Sequence, residues 1–241
     1  MGKKKKKKSR FRRFLTWLIV DVVVAVIVLL LLFHKPGHYH PAAPAAGSDD
    51  QAVHPYLSHD LVPQFYNDAQ DRKPFEMVIL DKSLNEAIAQ MKWPQEQAGA
   101  SFSAPKVLFQ PGRAVVMGTA TARGVELVMT LALEPRWDDN GHFGFEVKKV
   151  KIGAMNITPL AKMLAKRQYQ QRLETVPVDT STVQAKIAAA LLNQETFDPV
   201  FEVEDKWVRL EALEITEGKL TARFVPASGP VRTPRSTSAR P

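Results

Sequence analysis

The chain has 241 residues, 45% of them hydrophobic, with a net charge of +8 and no cysteine. That length provides one domain of ordinary size with appendages, and the missing cysteines exclude disulfides, thiolate nucleophiles, iron–sulfur clusters and thiolate zinc sites. The positive charge belongs to the ends: nine lysines and arginines fall in the first thirteen residues, Arg232, Arg235 and Arg240 add three near the C-terminus, and segment 75–226 has 18 basic against 19 acidic residues. A nucleic-acid partner for the domain is therefore not expected.

The first element in chain order is an apolar run of twenty residues, 14–33, FLTWLIVDVVVAVIVLLLLF, behind the basic segment 1–13. As a helix it would be roughly 30 Å long, the thickness of a bilayer core. The nine charges ahead of it, against Lys35 close behind, predict a cytoplasmic N-terminus and an extracytoplasmic remainder. The alternative is a cleaved signal peptide with Ala43-Pro44-Ala45 as its site, but the run is longer than the usual apolar region of such peptides. An uncleaved single-pass signal-anchor is the expectation. Asp21 lies inside the run. It reads as a helix-partner contact or as a carboxyl in the shallower cytoplasmic third, and no second ionisable group in the span makes it part of a relay.

Residues 34–74 hold six prolines and two glycines, which predicts a stiffened spacer. Within it Tyr56, Leu57, Leu61, Val62, Phe65 and Tyr66 are apolar enough to dock on the domain. His34, His38, His40, His54 and His59 also fall there, and His-rich tracts bind metals, but the spacing matches no compact site and no metal or other cofactor is assigned. Residues 227–241 read as a disordered tail.

In the domain, 75–226, Ser83 and Glu86 predict a capping box opening a helix with Leu84, Ala87, Ile88 and Met91 on one face and Pro94 at its end. Strands follow at 106–110 and 113–119 around Pro111-Gly112, and at 125–133, where Val125, Leu127, Met129, Leu131 and Leu133 share a face. Asp138-Asp139-Asn140-Gly141 is a hairpin turn in preference to a calcium loop. Phe143, Phe145 and Val147 are followed by Val150 and Ile152 at the opposite parity, and Val208, Leu210 and Ala212 by Leu213 and Ile215. Each slip predicts a β-bulge. A helix is expected from Thr158-Pro159 to about residue 173, with Leu160, Met163 and Leu164 facing in, and another after the capping box of Ser181 and Gln184. The fold class is α+β: a strongly curved antiparallel sheet packed with about three helices, preceded by one transmembrane helix.

Lys148, Lys149, Lys151, Lys162, Lys166 and Arg167 belong to a stretch without acids, while residues 195–217 hold eight acids. The first set reads as a surface for anionic head groups or an acidic partner, or as a solvated face balanced by the second. His142 is the only histidine of the domain, and metalloprotease, nucleophile-elbow and phosphate-loop motifs are absent. The pair Glu202 and Glu204 reads as solvated strand carboxylates, and no catalytic residue is assigned.

The single N-terminal anchor, Ser83-Leu84-Asn85 at a helix start, Val150-Lys151-Ile152-Gly153 leading to Ile157 and Pro159, and a closing hairpin around Gly218 resemble the YpmS-type membrane-anchored extracytoplasmic proteins and, beyond them, tubular lipid-binding (TULIP-like) domains. Residues 174–199 depart from that pattern. The resemblance implies a curved sheet wrapped on helices around an apolar groove, with no catalytic residues. The expected function is a non-enzymatic, membrane-anchored domain that binds lipid or another apolar ligand. Its adaptable lining would come from Met91, Met117, Met129, Met155 and Met163. The alternative is an envelope scaffold holding a protein partner with no small-molecule ligand.

Overall fold

In a computed structural model, the structure describes residues 6–37, 39, 56–97, 99–164, 167 and 196–229. The fold is mixed α and β with antiparallel sheets. Helix α1 (Lys6–Leu32) comes first, then a π-helical segment (Tyr56–Leu61) running into α2 (Val62–Gln70). Strand β1 (Phe75–Leu80) and helix α3 (Asp81–Ala89) follow. Next come β2 (Gln95–Gln97), β3 (Ala100–Phe102), β4 (Lys106–Gln110), β5 (Arg113–Ala122), β6 (Val125–Trp137), β7 (Phe143–Ile152) and β8 (Met155–Asn156). Residues 158–164 are helical, and β9 (Val200–Val203), β10 (Lys206–Thr216) and β11 (Lys219–Ala227) close the described chain.

The strands divide between two sheets. One is four-stranded in the order β1-β11-β10-β9. The other is seven-stranded in the order β2-β3-β5-β6-β7-β8, with β4 on β5. This corrects the expectation of one strongly curved sheet. Both expected bulges are present: Lys148 is the extra residue between the pairs Ala132↔Lys149 and Leu133↔Val147, and Glu211 between Leu210↔Phe224 and Ala212↔Arg223. They lie in different sheets, so their bends do not accumulate in one.

The main core lies on the four-stranded sheet, where Met77, Val208, Leu210, Ala222 and Phe224 are buried under Leu61, Phe65 and Ala69. Phe65 meets Phe75 and Phe224 edge-on at 5.8 and 5.2 Å between ring centres. Burying such a ring contributes about 1.5–3 kcal/mol. The apolar residues of 56–66 thus dock as expected through Leu61 and Phe65, while Val62 is 60% exposed. The seven-stranded sheet joins this core through Phe143, which bridges to Phe197, and through the β10–β11 turn, where Gly218 N–H donates to the Phe109 carbonyl at 2.9 Å.

Helix α3 begins at Asp81, two residues before the expected capping box, and its N-cap, Leu80, makes no side-chain bond. Asp81 supplies the negative charge of the first turn, so Ser83 lies inside the helix. Asn85, within the same helix, clamps β4: its side-chain N–H donates to the Val107 carbonyl at 2.6 Å and its side-chain oxygen accepts from Val107 N–H at 2.7 Å. Met91 lies beyond the helix end and is 54% exposed. The helix expected after Ser181 lies outside the described residues.

Candidate functional site

Helix α1 ends against the seven-stranded sheet. The Ala154 N–H donates to the Leu31 carbonyl at 2.7 Å, and Gly153 N–H donates to Val128 O at 2.7 Å. A Cβ at Gly153, whose φ is +58°, would fall on the carbonyl oxygens of Leu31 and Leu32. The turn between β7 and β8 therefore satisfies a helix-end carbonyl that has no partner within the helix. Beyond it, Lys35 pairs with Glu126 at 2.8 Å. Tyr39 is buried on Met117 and Val128, and its hydroxyl meets Thr119 Oγ1 at 2.9 Å and Ser103 Oγ at 3.3 Å. The expected spacer is thus bound to the domain at Lys35, Tyr39 and 56–70. The large apolar side chains from Trp17 to Leu31 are each 40–70% exposed. Among the described residues no helix is long and apolar enough to cross a membrane. Of α1, side chains are described only from Trp17 to Leu32.

A pocket of about 630 Å³ opens near this junction, lined by Trp93, Phe102, Pro105, Gly118, Ala120 and Met129, with Gln95, Glu96, Ser103 and Thr119 as its polar members. Its floor follows from the register. Gly118 faces Met129 and Ala120 faces Leu127 across β5 and β6, and Phe102 pairs with Ala120. Small side chains at Gly118 and Ala120 leave the hollow, and the β3–β4 break at Ser103-Ala104-Pro105 opens its side. Trp93 is held by its indole N–H, which donates to the Ile88 carbonyl at 2.7 Å. Tyr39 fills the opposite face of the same sheet at Val128. Consequently the regular apolar stripe of β6 is the partly open one, with Val125 42% and Met129 41% exposed. The volume is in the range of small-molecule sites.

Of the five methionines expected at a groove, Met129 lines the pocket. Met117 is buried under Tyr39 on the other face, Met155 is half-buried on β8, and Met91 and Met163 are exposed. The other apolar lining residues, Trp93, Phe102, Pro105, Gly118 and Ala120, and its polar members carry no periodic signal in the sequence. Gly118 in a strand interior is the one sequence signal that could have found them, since such a glycine weakens a strand and often marks a close approach or a hollow.

The basic set is only partly assembled. Lys148, at the bulge, is paired with Glu146 at 2.8 Å and Glu134 at 3.4 Å. The ammonium hydrogen bond, then its charge, holds the Glu146 carboxyl below the usual carboxylate range. Lys149 and Lys151 flank Val150, which anchors the start of the helix at Thr158, and Lys162 and Arg167 are exposed farther along. The side chain of Lys166 lies outside the described residues.

The β6–β7 turn at Asp138–Gly141 is a hairpin. Asp138 Oδ1 accepts from the N–H groups of Asn140 and His142, both at 2.9 Å, and Oδ2 accepts from the Thr196 hydroxyl at 2.7 Å and lies 3.2 Å from His142 Nδ1. The imidazole is thus engaged by a structural carboxylate. Glu202 and Glu204 are exposed. Among the described residues no group of three or more histidines and carboxylates could hold a metal ion. His34 and His59 are exposed, while His38, His40 and His54 lie outside the described residues. No protein-family model, curated protein or solved structure matches the chain.

Proposed function

We propose that the protein is a single-pass, membrane-anchored extracytoplasmic domain that binds a lipid or another apolar ligand and carries out no catalysis. Residues 14–33 form the anchor, and the nine charges before them hold the N-terminus in the cytoplasm. The observation that carries the ligand reading is the place of the pocket. Met129 in its wall pairs with Ile152, and the next two residues, Gly153 and Ala154, hold the end of α1. An apolar hollow at the exit of a membrane helix is supplied with acyl chains by the bilayer itself. This is the coarse sense in which the resemblance to YpmS-type and TULIP-like domains is proposed.

The scaffold reading is favoured by a different surface. β1 is an edge strand of the four-stranded sheet, and its Val78 and Leu80 are 43% and 45% exposed, a site for strand addition by a partner.

The test is native mass spectrometry of the full chain extracted with its surrounding lipids, in wild type and in Ala120→Phe, which fills the pocket floor. A bound lipid or apolar molecule present in the wild type and reduced several-fold in the variant, at unchanged thermal unfolding, supports the ligand reading. Equal amounts in both count against it, and a stoichiometric protein partner without such a ligand favours the scaffold.

A further inference from the structure

The helix that begins at Thr158 is mounted with its apolar side outward. Its first turn is pinned to β7 by polar groups: Val150 N–H donates to Thr158 Oγ1 at 2.8 Å and Ile157 N–H to the Val150 carbonyl at 2.8 Å. At about 100° per residue, Thr158 and Lys162 fall on one side, and Leu160, Met163 and Leu164 cluster within roughly a 100° arc on the other. Consistent with that placement, Lys162 contributes to holding the Glu146 carboxyl of β7 low, after the larger effects of Lys148. Leu160, Met163 and Leu164 are 49%, 48% and 48% exposed. This overturns the expectation that the three face in. A helix on an aqueous surface has the reverse arrangement, with its apolar stripe on the core.

The position of this helix identifies what covers it. Ala154, bonded to the Leu31 carbonyl at the end of α1, precedes Thr158 by four residues. The chain between them spans at most about 14 Å, so the helix starts beside the point where the anchor leaves the bilayer. Arg167 farther along the chain and Lys149 on β7 are exposed, with Lys151 of β7 half-buried, and basic side chains beside an outward apolar helix face suit a membrane interface.

We propose that the helix starting at Thr158 is an interfacial helix. It seats Leu160, Met163 and Leu164 in the headgroup–acyl boundary of the leaflet from which α1 emerges, with Lys149, Lys151 and Arg167 at headgroup level. The inference rests on the reading of α1 as the anchor and is independent of any ligand in the pocket. It makes the domain a two-point membrane binder that lies against the bilayer.

The absence of cysteine makes the test direct. The full chain, in nanodiscs of phosphatidylcholine and phosphatidylglycerol, carries a single nitrobenzoxadiazole label in turn at Leu160→Cys, Met163→Cys and Leu164→Cys. Controls are Lys162→Cys on the opposite side of the helix, Leu30→Cys in α1, and Asn140→Cys at the far end of the ten-residue strand β7. Lipids spin-labelled high on the acyl chain are the quencher. Quenching at 160, 163 and 164 several-fold above that at 140 and 162 is the expected result, at a depth of roughly 5–10 Å. A label at 163 should lose that quenching in the background Leu160→Gln with Leu164→Gln. Quenching at the three positions no greater than at 140 overturns the inference. So does a blue-shifted but unquenched label, which means that protein, such as residues 181–191 of this chain or a second copy, covers the face. If Leu30 is quenched and the three are not, the interfacial helix alone fails. If Leu30 is also unquenched, the anchor reading fails with it.

Discussion

Asp138 illustrates how much a single side chain organises and how little of that is local. The turn composition Asp-Asp-Asn-Gly specifies a hairpin, and two of the carboxylate's hydrogen bonds stay within it. The Thr196 hydroxyl comes from 58 residues away, a partner that no periodicity reveals. That hydroxyl, then the His142 and Asn140 N–H groups and the nearby imidazole, hold the Asp138 carboxyl at about 2 against an ordinary 3.8. A depressed carboxylate contributes stability that is present above its unfolded value and lost as pH falls through its folded one. The wild type should therefore lose stability between pH 3.8 and about 2. Glu146 is also held low and loses stability on acidification in the same sense, so the difference between wild type and Asp138→Asn isolates the turn. Urea midpoints of the full chain in detergent should fall less steeply with acid in the variant, and identical slopes in the two proteins would remove the carboxylate from the account.

At the scale of elements, strand parity was the most legible feature of the sequence. A bulge shifts every later side chain to the other face, so the slips expected after Val147 and Ala212 are visible in the apolar pattern itself, and the structure places the extra residues at Lys148 and at Glu211, the second just ahead of Ala212. Helix periodicity says only which residues share a face, not what the face meets. Leu160, Met163 and Leu164 do share one, yet it points outward because Thr158 takes the sheet side through its bond to Val150. The pocket was illegible for a related reason: it depends on small residues, Gly118 and Ala120, opposite Met129 and Leu127 across a register that composition does not encode. Asn85 is a comparable case, since its role needs β4 alongside. Asn85→Ala would leave the half-buried N–H and carbonyl of Val107 without their present partner. An unsatisfied buried group costs about 1–3 kcal/mol, so the variant should unfold at a lower temperature by several degrees. An unchanged midpoint would mean that water replaces the side chain at no cost.

For the whole molecule, the decisive question is how the domain is held relative to its helix. A proline-rich spacer implies a domain on a tether. The bond from Ala154 to Leu31, the Lys35–Glu126 pair and buried Tyr39 instead fix the sheet to the helix end. These contacts differ in weight. Lys35 and Glu126 have side chains 67% and 49% exposed, and such pairs contribute about 0–1 kcal/mol. Tyr39 buries a ring with its hydroxyl satisfied, and Gly153 sets the approach distance. A residue with a Cβ at Gly153 meets the two helix-end carbonyls and must also adopt a left-handed φ, which alone costs about 1–2 kcal/mol. Gly153→Val should therefore separate the helix end from the sheet while leaving both sheets intact. Spin labels at Leu30→Cys and Asn140→Cys, in the full chain in nanodiscs, should give one narrow distance distribution in the wild type and a broad one in Gly153→Val, with unchanged circular dichroism. A Tyr39→Ala background should broaden it further, because it removes the second contact. A narrow distribution that survives Gly153→Val would mean that Tyr39 and residues 56–70 hold the domain in place unaided. A broad distribution already present in the wild type would return the spacer to the role of a tether, and the pocket would then lose its fixed place beside the end of α1.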